Sequence, residues 1–161
     1  MNWRRLFDMS AATALGLSLV AGSAAGQDKS LKDQLVGTWT LVSHQSVSMY
    51  GANPQGVAFF DTGGRFIIAV MRSDRTKYGS NHPAQGTDAE NKATAQGTMT
   101  YFGTYTVNEA NRTIDIHIEA SSFPNWSGTD QQRAFSIVGD RLTLTARALG
   151  GSADVVWQRA K

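Results

Sequence analysis

The 161-residue sequence predicts an all-β domain, an eight-stranded up-and-down antiparallel barrel. Three observations predict it. Short runs rich in Thr, Val, Ile and aromatic residues recur from Thr38 to Arg159. Tight turn sequences separate successive runs: Asp61-Thr62-Gly63-Gly64, Asn108 to Arg112, and Gly139-Asp140. Apolar and polar residues alternate within runs such as Thr113–Ala120, as in a sheet with one buried and one solvated face. A barrel of this size has room for its own side chains or for one small ligand.

In chain order, Ser30 to Val36 is long enough for one or two helical turns, with Ser30 placed as N-cap. The strand-like runs follow at Thr38–Met49, Gly56–Phe60, Arg65–Met71, Met99–Val107, Thr113–Ala120, Gln132–Val138, Arg141–Arg147 and Ala153–Arg159. Ser73 to Ala95 interrupts them. It carries Gly79, Pro83 and Gly86 without apolar alternation, so it opens as a polar loop. Its second half, Asp88 to Ala95, has helix-forming residues and an acidic start suited to a helix N-terminus. A connection this long in a small domain is either a lid or binding loop, or a plain surface insertion.

With 41% hydrophobic and 17% charged residues the chain reads as one globular domain. Cysteine is absent, which excludes disulfides, zinc fingers, iron–sulfur ligation and a thiol nucleophile. Residues 1–26 read as a cleaved secretory signal, leaving 27–161 as the mature barrel domain. Arg4 and Arg5 form its positive start, Ala11 to Ala21 its apolar stretch, and Ser23-Ala24-Ala25 a small-x-small cleavage site. That stretch is roughly half the ~20 residues of a membrane span, so a retained anchor is the lesser alternative and no stable span is expected. Arg4-Arg5-Leu6-Phe7 resembles a twin-arginine signal, against which Asp8 counts. A periplasmic or secreted location is expected. Without Arg4, Arg5 and Asp8, the 15 basic and 13 acidic side chains become 13 and 12, and no nucleic-acid footprint remains.

Gly37-Thr38-Trp39 resembles the Gly-x-Trp that opens the first strand of lipocalins. Trp157-Gln158-Arg159 places an arginine where such barrels stack one over that Trp, a contact worth about 0.5–2 kcal/mol. Tyr101-Phe102-Gly103-Thr104-Tyr105, Ile116 to Ser121, Phe123-Pro124-Asn125-Trp126, and Gly128-Thr129 with Arg133 resemble the bacterial lipocalin-like domain family. The likeness runs from about Leu35 to Arg159 and implies a calycin-type barrel. It implies little about activity, since that family is mostly of unassigned function. One departure stands out. The family often carries a His where this chain has Ile116, whereas here His117 falls on the opposite face of the strand.

Asp115, His117 and Glu119 share one face, each about 7 Å from the next. Turned inward they would form an acid–base or metal-binding ladder. Ile114, Ile116 and Ile118 occupy the other face, so parity favours a solvated ladder. The remaining histidines, His44 and His82, lie far off in sequence, and no metal site is expected. Arg133 shares a face with Phe135 and Ile137; it either clamps a ligand carboxylate or serves a structural pair at the rim. Tyr101 and Tyr105 share the face opposite Thr104 and Thr106, which turns them inward as ligand contacts or ordinary core. Trp126, in a connection between strands, either covers the mouth or plugs an end. No nucleophile elbow, phosphate loop or dinucleotide fingerprint appears.

The candidate ligand-binding residues are therefore Tyr101, Tyr105, His117, Trp126, Arg133 and Phe135, with Gly37, Trp39 and Arg159 structural. No catalytic residue, metal or cofactor is assigned. The expected function is an exported carrier of a small, largely apolar molecule with an acidic or polar end. An isomerase or cyclase using Tyr105, His117 or Arg133 as acid–base groups is one alternative, and a non-catalytic interaction scaffold is another. A carrier requires a cavity of roughly a few hundred Å³. The enzyme requires the His117 ladder inside, and the scaffold a filled barrel with an exposed apolar patch.

Overall fold

The computed structural model describes residues 29–148 and 151–161, so the expected signal segment lies outside the described residues. Eight strands form a closed barrel: β1 (Gly37–His44), β2 (Gln55–Phe60), β3 (Arg65–Met71), β4 (Thr98–Asn108), β5 (Thr113–Ser121), β6 (Thr129–Val138), β7 (Arg141–Ala148) and β8 (Gly151–Arg159). Each pairs antiparallel with the next, and β8 returns to β1. Three short helices decorate it, α1 (Leu31–Leu35), α2 (Val47–Tyr50) and α3 (Asp88–Gln96), with a 3-10 turn at Pro124–Trp126. Among the described residues no helix is long and apolar enough to cross a membrane.

Alternation sets which residues are inside. In β5, Ile114, Ile116 and Ile118 are buried while Asp115, His117 and Glu119 are exposed. In β4, Tyr101 and Tyr105 point in while Phe102, Thr104 and Thr106 point out. Each fully buried aliphatic or aromatic side chain contributes about 1.5–3 kcal/mol, and closure gives every strand two neighbours.

One end is sealed. The Trp39 indole N–H donates to the Leu35 carbonyl at 2.8 Å, tying β1 to α1. The Arg159 guanidinium lies 4.1 Å from the centroid of the Trp39 ring. It also donates to the carbonyls of Val36 (3.0 Å) and Gln34 (2.5 Å), the C-terminal groups that α1 leaves unpaired. Gly37 makes this approach possible: its φ is +128°, and a Cβ there would stand 3.1 Å from Arg159 Nη1. Ser30 caps α1 as expected, its Oγ accepting from the Asp33 N–H at 3.0 Å. The short turns 61–64, 109–112 and 139–140 all fall at this end.

The long connections 45–54, 72–97 and 122–128 fall at the other. There the expected single run Thr38–Met49 is corrected. The β1–β8 register slips between Leu41 and Ser43, and the strand stops at His44. The Ser46 N–H donates to His44 Nδ1 at 3.0 Å, and the Ser46 carbonyl accepts from Met49 and Tyr50 N–H groups. These local bonds replace the ladder and start α2. β6 also begins earlier than expected, at Thr129 rather than Gln132.

Candidate functional site

Tyr101, Trp126 and Arg133 meet toward the open end, around an enclosed cavity of about 70 Å³ also lined by His44, Tyr50, Met99 and Trp157. Parity on β4 and β6 turns Tyr101 and Arg133 inward. The 3-10 turn begins with Pro124, whose fixed φ suits that position, and delivers Trp126 over them. The Trp126 ring is edge-on to Tyr101, with centroids 5.3 Å apart, and to Phe123 at 6.1 Å. Such aromatic pairs favour this edge-to-face geometry.

Arg133 is the first residue beyond the β6–β7 ladder, which pairs only Ala134–Val138 with Arg141–Thr145. Its guanidinium donates to the side-chain oxygen of Gln131 and to the Gln132 carbonyl, and lies 6.0 Å from the Trp126 ring centroid. Among the described residues it has no carboxylate partner. Five N–H donors face two neutral acceptors, so donor capacity is left over.

The neighbouring groups are donors too. Trp157 is 1% exposed, and its indole N–H has no hydrogen-bond partner among the described residues. Burial pushes the Tyr50 hydroxyl up to about 12, with Tyr101 adding to the rise. Burial also raises Tyr101, against a smaller opposing pull from Arg133. Burial lowers His44, and its Nδ1 accepts from Ser46, so the neutral ring carries its proton on Nε2. At neutral pH the site holds one positive charge and an excess of donors over acceptors.

Two larger concavities adjoin this cavity. A mouth pocket of about 890 Å³ shares Met99 with it, and a cleft of about 650 Å³ beside β6 and β7 shares Trp126 and Arg133. The space of about 70 Å³ is far smaller than a drug-sized molecule needs.

The other expected site residues lie elsewhere. Tyr105 points inward but belongs to the packed core: its hydroxyl donates to the Asp61 carbonyl at 2.6 Å, and its ring is edge-on to Phe60. Phe135 is buried opposite Leu144 and does not line the cavity. His117 leaves the interior set altogether. With the isoleucines of β5 inside, it stands on the outer face, its Nδ1 2.7 Å from an Asp130 carboxylate oxygen. Asp115 accepts from the Gln132 side chain there, and Glu119 pairs with Arg65. Among the described residues no three His, Cys, Asp or Glu side chains converge on a metal position.

Among the cavity residues that escaped the sequence reading are His44, Tyr50, Met99 and Trp157. Trp157 carried a usable signal, since it shares parity with Ala153 and Val155. Tyr50 carried none while the first strand was read through Met49.

Several solved barrels resemble this one at low identity. As-p18, an extracellular fatty acid binding protein, is 14% identical, with 82% of this chain and 100% of that chain covered and a TM-score of 0.41. Wild-type UnaG, a fluorescent protein, is 12% identical over 79% of this chain and 98% of that one, at 0.40. Human cRBP IV is 20% identical over 78% and 98%, at 0.39. Likenesses at that level carry no functional inference. The 4'-hydroxy-3'-methoxypropiophenone carrier protein ppsC of Aspergillus oryzae is 33% identical over 82 residues, 47% of this chain and 74% of the relative. The model of the lipocalin-like domain matches residues 36–160. That span takes in every strand of the barrel together with the Trp39–Arg159 seal, and the chain belongs to the lipocalin-like domain family.

Proposed function

We propose that the protein binds and carries a small, largely apolar aromatic molecule at the open end, with the molecule's polar end on Arg133. One observation carries this reading: a guanidinium without a carboxylate partner among the described residues, in the wall of a largely apolar, aromatic-lined space. The excess of donors selects a ligand end that accepts, such as a carbonyl, carboxylate or phenolate. The Aspergillus oryzae relative is named as the carrier of a phenolic aryl ketone, which belongs to that class. The enclosed 70 Å³ is about the volume of two water molecules, so the ligand seats as Trp126 and Arg133 swing aside and the cavity joins the adjacent cleft. In this reading residues 1–26 direct export, and the mature protein from a periplasmic or secreted fraction begins near Gln27 when its N-terminus is sequenced.

Calorimetric titration with a hydroxyphenyl ketone and with a benzoate tests the binding. Arg133→Ala should weaken the better ligand by about tenfold to a hundredfold, the worth of a hydrogen bond to a charged group. The melting temperature should stay nearly constant, because Arg133 supports no ion pair. Unchanged affinity in the variant would sink the assignment.

A second reading, the interaction scaffold, is favoured by the outer wall. Phe59, Ile67 and Phe102 stand side by side in register across β2, β3 and β4, exposed by 42%, 39% and 39%. Exposed apolar rows of this kind mark contact surfaces. Self-association seen by sedimentation, and abolished by Ile67→Lys, would favour it over the carrier. Of the acid–base groups in the enzyme alternative, Tyr105, His117 and Arg133, the cavity keeps Arg133 alone, with Tyr105 in the packed core and His117 on the outer face.

A further inference from the structure

We propose that the mouth pocket is a second binding site, taking a small organic anion with an apolar body, and that Arg75 holds the anionic group. The site is independent of whatever occupies the interior. It lies among α2, the 72–97 connection and the 3-10 turn, and measures about 890 Å³.

Three charged side chains line it: Arg72, Asp74 and Arg75. Two of them cancel. Arg72 Nε and Nη2 donate to the two Asp74 carboxylate oxygens at 2.8 and 2.7 Å, a bidentate fork. Arg75 meets only neutral acceptors. Its Nε donates to the Arg72 carbonyl (3.1 Å), its Nη1 to the Thr98 hydroxyl (3.1 Å) and its Nη2 to the Met71 sulfur (3.3 Å). Among the described residues it has no carboxylate partner, so the pocket carries a net charge of one guanidinium.

That guanidinium is held in advance. Its acceptors belong to the end of β3, the residue just past it, and the start of β4. The side chains of Arg72 and Arg75 both pack against the bare backbone of Gly97, where a Cβ would stand 3.0 and 3.2 Å from their Cδ atoms. A cation fixed this way loses little freedom on binding, which favours a fork-shaped contact with a carboxylate or sulfonate.

The lining also explains why the anion is organic. Met49 and Phe123, both in the lining, are 49% and 44% exposed, and Met99 and Pro124 join them. An inorganic ion would leave this apolar surface wet. An aryl or alkyl acid covers it while its head group pairs with Arg75. Lys77 and His82 line the concavity that borders Arg75 on its other side, with no acidic residue among them, so the field on that side also favours anions.

Two fluorescent probes of similar ring structure test the proposal, one with a charge and one without: anilinonaphthalene sulfonate and phenylnaphthylamine. Arg75→Gln should weaken the sulfonate by about tenfold and leave the neutral probe within about twofold, the loss expected for one charge-assisted contact. Asp74→Asn, which frees Arg72, should tighten the sulfonate instead. Arg133→Gln should leave sulfonate affinity alone, so the interior reading fails or stands on its own variant. Sulfonate affinity unchanged in Arg75→Gln, or both probes weakened equally, would overturn the proposal. If Arg75→Gln does not fold, sulfonate affinity that is unchanged or weaker in Asp74→Asn overturns it as well.

Discussion

Arg159 binds the sealed end together through three unlike contacts: a ring face, two helix carbonyls, and Asp140 at 3.6 Å. Only a planar fork satisfies the first two together, so Arg159→Lys is not a conservative change. It should lower stability by about 1–3 kcal/mol in urea unfolding, since a single ammonium cannot replace the two guanidinium nitrogens that reach the Gln34 and Val36 carbonyls from over the Trp39 ring. Trp39→Ala should cost about 3–5 kcal/mol, the range for emptying a buried aromatic site. Gly37, Trp39 and Arg159 were legible through the resemblance to lipocalins, whose Gly-x-Trp and last-strand arginine they match. Arg133 was half legible. Parity with Phe135 and Ile137 turns it inward, but nothing local says that the β6–β7 ladder stops at Ala134 and leaves Arg133 paired with β5 alone. His117 was resolved by its neighbours, since three isoleucines outweigh one imidazole in choosing which face meets water.

Strands with unbroken alternation matched the sequence reading to within a residue or two: Arg65–Met71 is β3, and Thr113–Ala120 is β5 less its last residue. β1 was overrun because a bulge at Leu41/Ser43 shifts the parity and a Ser-mediated turn takes over, and local composition hides both. α3 was anticipated from its acidic start, and its hold on the loop explains how it persists without a buried residue. Thr87 and Glu90 form a reciprocal capping box, and Glu90 also accepts from the Gly79 N–H at 2.9 Å. The Tyr78 hydroxyl donates to Asn91 at 2.9 Å. Such a helix opens by itself. Thr87→Ala should cost about 1 kcal/mol locally, raising amide exchange in α3 about fivefold while leaving the strands protected. The N–H groups of Gly79 and Thr87 hold the Glu90 carboxyl below its usual range. Their stabilisation is therefore full above the ordinary carboxylate pKa and fades as pH falls through the lowered one. Exchange measured down an acid series should show α3 losing protection before the barrel. Protection that falls in step everywhere would mean the helix is part of the barrel's cooperative unit.

For the whole barrel, closure buries tyrosines at both ends, Tyr50 and Tyr101 near the cavity and Tyr105 at the turn carrying Asp61, and burial raises the pKa of all three. A raised pKa means the folded chain keeps protons that the unfolded chain releases. Their contribution is therefore complete below the ordinary tyrosine value of 10.0 and declines above it, for Tyr50 until about 12. His44 acts with the opposite sign. Burial lowers it, so the unfolded chain takes up protons first, and stability falls as pH drops below the ordinary histidine value of 6.5. Urea midpoints across pH should form a plateau between these limits, with an acid limb and an alkaline limb. Tyr50→Phe should make the alkaline limb shallower without abolishing it, because two of the three phenols remain, and should leave the acid limb. An unchanged alkaline limb would mean that Tyr50 ionises as freely in the barrel as in the unfolded chain, and that water already reaches the cavity floor. The carrier reading needs the contrary, a cavity whose tyrosines stay protonated donors until a ligand arrives. The same titration repeated with saturating ligand therefore bears on function: a ligand that displaces water around Tyr50 moves the alkaline limb to higher pH, whereas one confined to the mouth pocket leaves it in place.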